Sequence, residues 1–61
     1  MEISNYAVGD VVKFMFLSNV EVGVIKEILL KENRLSVLDE TNTYHRVAMS
    51  KEESKFCYLI K

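Results

Sequence analysis

The sequence predicts an all-β fold in which short strands close into one small barrel or sandwich. Three observations carry that expectation. Asn5, Asn19, Asn33 and Asn42 recur at spacings of 14, 14 and 9 residues, each among polar neighbours between apolar stretches. With no proline and only Gly9 and Gly23 in the chain, asparagine is the natural corner residue, because it tolerates the left-handed conformation and bonds its own backbone. The stretches between these corners are rich in β-branched and aromatic residues and alternate with period two. Finally, 61 residues and 7.1 kDa allow a single domain, residues 1–61. Such a chain buries only about 60% of the surface it exposes when unfolded. A hydrophobic content of 49% is enough to fold it and argues against disorder.

The elements follow in order. Asp10 to Leu17 reads D-V-V-K-F-M-F-L, with Val12, Phe14 and Phe16 on one face and Val11, Lys13 and Met15 on the other. Glu21 to Lys31 is a long strand whose even positions Val22, Val24, Ile28 and Leu30 are apolar, broken by Lys26, with Gly23 as a bulge or bend. A helix competes here, since Ile25, Ile28 and Leu29 have helical spacing. Val20, Val22, Gly23 and Val24 in the same segment are poor helix formers and favour the strand. Leu35-Ser36-Val37-Leu38 is a third strand, and residues 40–43 turn into a fourth, Tyr44-His45-Arg46-Val47. Ser50-Lys51-Glu52-Glu53 has the form of a capping box in which the Ser50 hydroxyl accepts from the Glu53 amide; a helix starting there is one turn or runs to Ile60, and a single 3₁₀ or α turn is favoured. Phe56 to Ile60, aromatic and β-branched, is then the last strand. The predicted core is Val12, Phe14, Val24, Ile28, Leu35, Val37 and Leu59.

Three short motifs add a resemblance. Tyr6-Ala7-Val8-Gly9-Asp10-Val11-Val12 has an aromatic-x-x-G-D-x-V form, Gly23-Val24-Ile25 a G-x-[VI] form, and Ser50 to Ser54 a helical turn before the final strand. On these residues the chain, over about positions 6 to 60, resembles the SH3-like small β-barrel superfamily shared by Tudor and KOW domains. The resemblance implies a five-stranded barrel with one short 3₁₀/α turn before the last strand, and a glycine and aspartate that turn the chain into its first strand. Proline-rich peptide binding is not implied, because the chain has no tryptophan and Ser18-Asn19-Val20 leaves almost no loop. The trimethoprim-resistant reductases of this barrel type carry V-Q-I-Y in their pore; here the matching strand reads Tyr44-His45-Arg46-Val47, so no catalytic role carries over.

Chemistry-bearing residues are few. One cysteine and one histidine cannot build a four-ligand structural zinc site, and no metal or cofactor is expected. Cys57 and His45 are the only candidate nucleophile and base, but a cysteine is commonly a small buried hydrophobe and a strand histidine commonly half exposed. Asp10, Asp39 and Glu40 read as solvated turn carboxylates. Catalysis is therefore not expected. Eight basic and nine acidic residues are interleaved, giving a net charge of −1 and no linear basic cluster for a phosphate backbone. Folding could still set Arg46 with Lys13 or Lys61 beside Tyr44 and Tyr58 as a stacking platform, so a nucleic-acid-associated barrel of Tudor or KOW type is the alternative.

The apolar residues exceed what one small barrel holds. Val11, Met15, Leu17, Leu29, Leu38, Met49 and Ile60 fall opposite the predicted core positions, and isolated monomers rarely expose large apolar patches. The expectation is a non-catalytic protein-interaction module that meets a protein partner or forms a homodimer. Tyr44, Arg46 and Tyr58, on the last two strands, are its predicted contact residues. No apolar run approaches the roughly 20 residues of a membrane span, and Met1-Glu2-Ile3-Ser4 shows no basic start to an export signal, so a cytoplasmic location without membrane attachment is expected.

Overall fold

A computed structural model of the chain describes residues 3–60. Met1, Glu2 and Lys61 lie outside them, and with them part of the segment 1–4 read for an export signal and one expected companion of Arg46. A 3₁₀ turn, Ile3–Asn5, precedes β1 (Val11–Phe16) and β2 (Asn19–Leu29). A second 3₁₀ turn, Leu30–Glu32, leads into β3 (Arg34–Asp39), followed by β4 (Tyr44–Ala48) and β5 (Cys57–Leu59). The strands form a closed barrel in the order β1-β2-β3-β4-β5. Successive strands β1 to β4 are antiparallel, β5 pairs antiparallel with β1, and β5 meets β4 in parallel at Ala48↔Tyr58. The chain is thus the all-β five-stranded barrel its sequence predicts.

The entry into β1 is built as the G-D motif suggests. Gly9 has φ 101°, where a side chain would be strained, and its amide donates to the Ile25 carbonyl at 2.8 Å. The Asp10 carboxylate accepts from the Ala7 amide at 2.9 Å and closes the turn. At the other corners, Asn33 and Asn42 adopt φ 54° and 63° as expected of asparagine. Asn19 does not. The β1–β2 hairpin instead turns on Leu17 and Ser18, at φ 48° and 71°, between the paired residues Phe16 and Asn19. Two consecutive residues of positive φ make a primed two-residue turn, whose twist matches the strands and which usually calls for Asn-Gly.

The core holds Val12, Phe14, Ile25, Leu35, Val37, Val47, Met49, Cys57 and Leu59, with Ile3, Tyr6, Phe16 and Ile28 packed against it. Five of the seven predicted core residues are buried and Ile28 is half-buried, but Val24 faces outward. The cause is a bulge. Ile25 pairs with Val37 and Glu27 with Ser36, leaving Lys26 as an extra residue that shifts the alternation. Before the bulge the odd residues Gly23 and Ile25 point inward; after it the even residue Ile28 does. Gly23 is not the bulge it was expected to be. It is a point of close approach, where a Cβ would stand 2.6 Å from the Leu38 carbonyl oxygen and 2.6 Å from Val37 Cγ1. Met49, expected outside, is buried at 2% exposure.

The turn before β5 is present, but its cap is not the predicted one. The Ser50 carbonyl accepts from the Glu53 and Ser54 amides at 3.2 and 3.3 Å, while the Ser50 hydroxyl donates to the Glu53 carboxylate at 3.3 Å. The single turn is held by backbone bonds, so the hydroxyl is free to bond the side chain beside it. Ser54 Oγ then accepts from the Phe56 and Cys57 amides, both at 3.3 Å, as the chain enters β5.

Candidate functional site

Strand register determines which outward side chains are neighbours, because residues directly opposite on paired strands share a face. On the barrel exterior, Tyr58 of β5 lies opposite Met15 of β1, and Met15 opposite Val20 of β2. Two residues along β2, Val22 is opposite Lys13. Two further, Val24 is opposite Val11 on one side and Leu38 on the other, and Leu38 is opposite Tyr44 of β4. The result is a continuous apolar band that follows Val20, Val22 and Val24 along β2 and ends on a tyrosine at each extreme. Val11, Val20 and Tyr44 are 68%, 60% and 63% exposed, and the others along the band are half-buried apart from the exposed Lys13.

This geometry places the predicted contact residues in a new relation. Tyr44 and Arg46 both project outward from β4, as alternate residues must, and Tyr58 projects outward from β5. The two strands meet only at Ala48↔Tyr58, so Tyr44 is four residues from their junction and the tyrosines are joined across β1, β2 and β3 instead. Arg46 lies beside the band, opposite Ser36, with its guanidinium 3.5 Å from Glu32 Oε1. Both partners are exposed, and a pair of this kind contributes about 0–1 kcal/mol. The members that sequence reasoning missed are Val20, Val22 and Val24. Their period-two spacing was the signal, but parity alone assigned two of them to the inner face.

A second cluster lies inside the barrel mouth. Asp39 Oδ2 is 2.7 Å from His45 Nε2, with the two side chains only 8% and 7% exposed. The imidazole lies between Phe14 and Phe16, at centroid distances of 5.0 and 4.6 Å. Asp39 Oδ1 accepts from the Thr41 amide, the Thr41 hydroxyl and the Thr43 amide at 2.8, 2.7 and 3.0 Å. The His45 bond above all, then the Thr41 hydroxyl and the Thr43 amide, holds the Asp39 carboxyl well below the usual carboxylate range, against the opposing effect of burial. Asp39 is therefore the organiser of the β3–β4 turn rather than the solvated carboxylate the sequence suggested. The legible signal was the D-x-T-x-T spacing of an Asx-type turn.

Cys57 is buried, and desolvation raises its thiol pKa, which suppresses the nucleophilic thiolate. His45 is engaged by Asp39 and is buried rather than half exposed. No group of three or more potential metal-ligating side chains occurs among the described residues, and no helix there is long and apolar enough to cross a membrane. No family model matches the chain, and neither a curated protein nor a solved structure does.

Proposed function

We propose that this barrel is a non-catalytic protein-interaction module of the SH3-like type, with the outer face of β1, β2 and β3 as its contact surface. The band from Tyr58 to Tyr44 carries the reading. It uses valine, methionine and leucine side chains that the barrel core does not need, and it terminates in aromatic residues with polar ends, which suit interface anchors. Arg46 and its partner Glu32 form a charged rim on the β4 side.

Variants at the centre and ends of the band test it. Val24→Ser, Tyr44→Ser and Tyr58→Ser should leave the fold intact by circular dichroism while each weakens the same association, whether with a partner protein or between copies in sedimentation. Full association by all three variants would reject the surface. Titration with single-stranded and duplex oligonucleotides separates the Tudor- or KOW-like alternative: affinity falling steeply with salt would favour it, because phosphate contacts release counterions.

A further inference from the structure

We infer that the band takes a segment of a different protein, one that lays apolar side chains along Val22 and Val24 and sets a carboxylate on Lys13. This rests on the interaction-module reading and names the chemistry of its partner. Lys13 is the only charged residue in the three cross-strand rows of the band. It is opposite Val22, with Val11 and Met15 two residues away on its own strand. It is exposed, and among the described residues the ion pairs are His45–Asp39 and Arg46–Glu32, neither of which involves it. A partner that covers the apolar rows must therefore also cover this ammonium group. Desolvating a charge is unfavourable unless an opposite charge meets it, so the fitting occupant brings an acidic side chain flanked by apolar ones.

The same residue disfavours the other occupants. A two-fold contact between copies presents the same patch on both sides. Centred on this face, it would bring two Lys13 ammonium groups together, and the rows contain no carboxylate to answer them. A nucleic-acid backbone is rewarded by several clustered cations, whereas the band offers one on a chain of net charge −1.

The test is a displayed library of random peptides panned against the whole protein, with the selected peptides resynthesised and titrated by fluorescence anisotropy and amide shift mapping. The expected binders carry Asp or Glu between apolar residues and shift the amides of Val22 and Val24. Their affinity should fall about tenfold on replacing the acid by its amide or on Lys13→Glu, and Lys13→Glu should prefer lysine-bearing versions of the same peptides. Binders that occupy the face with no acidic preference, and are indifferent to Lys13→Glu, would overturn the carboxylate inference while leaving the module standing. Binders that shift residues only elsewhere, or an absence of binders, would remove both. A dimer in sedimentation that Val24→Ser abolishes, or displacement of the peptides by single-stranded DNA with steep salt dependence, would assign the face to a second copy or to nucleic acid and overturn the inference.

Discussion

At the scale of single residues, Phe14 and Asp39 carry the most. Phe14 is fully buried, pairs through its strand with both β2 and β5, and packs its ring at a tilt of 51° against His45. Phe14→Ala removes a ring that the surrounding closed sheet cannot collapse to replace, at a cost of about 3–5 kcal/mol. That is comparable with the whole stability of a domain this small, so the variant should be largely unfolded in a denaturant titration at 25 °C. Asp39 makes stability depend on pH with a definite sign. Its carboxyl is held below its ordinary value in the folded chain, so its contribution is full above the unfolded pKa of about 4 and is lost as pH falls toward the folded value. The melting temperature of the wild type should exceed that of Asp39→Asn at pH 7, and the gap should narrow steadily below about pH 4. A constant gap down to pH 2 would show that the carboxylate charge contributes nothing.

At the scale of elements, the hairpin between β1 and β2 is the weakest joint. Leu17 and Ser18 both sit at positive φ, a region that costs an ordinary side chain about 1–2 kcal/mol per residue relative to glycine or asparagine. Leu17→Asn with Ser18→Gly should raise stability by about 1 kcal/mol, the added chain entropy of glycine offsetting part of the gain. A shift of the denaturation midpoint at unchanged slope measures it. The same joint shows where sequence patterns stop being informative. Alternation was sufficient to locate β1 and β3 and their inward residues, because each is short and regular; it placed β4 without naming its buried His45 and Val47. It misread β2, since Lys26 changes the parity halfway along and nothing local distinguishes a bulged lysine from a solvent-facing one. The corner at Leu17 and Ser18 has neither glycine nor asparagine at its two positive-φ positions; closure of β1 against both β2 and β5 imposes it. The outer band was hidden for the related reason that it exists only once register aligns residues from all five strands, as with Leu38 and Tyr44.

At the scale of the whole molecule, barrel closure leaves only the seam where β4 and β5 meet at Ala48↔Tyr58 open to strand addition, which shifts most of the weight of any association from edges to side-chain faces. The inner face is filled and its one buried polar pair is satisfied, with no buried side-chain nitrogen or oxygen lacking a partner among the described residues. Only the exterior is left to discriminate between partners. The bulge in β2 has a bearing on how this chain can vary in length. Lys26 has no counterpart on β3, so deleting it leaves every other residue of β2 facing as before, Ile25 and Ile28 inward and Glu27 outward, while straightening the strand. Deleting Ser36 has the opposite effect, turning over half of β3 and sending either Leu35 or Val37 into solvent. The chain lacking Lys26 should therefore fold with a lowered melting temperature, and the chain lacking Ser36 should give no cooperative transition. Loss of a codon is survivable at Lys26, which has no partner to lose; at Ser36 on the facing strand it is not.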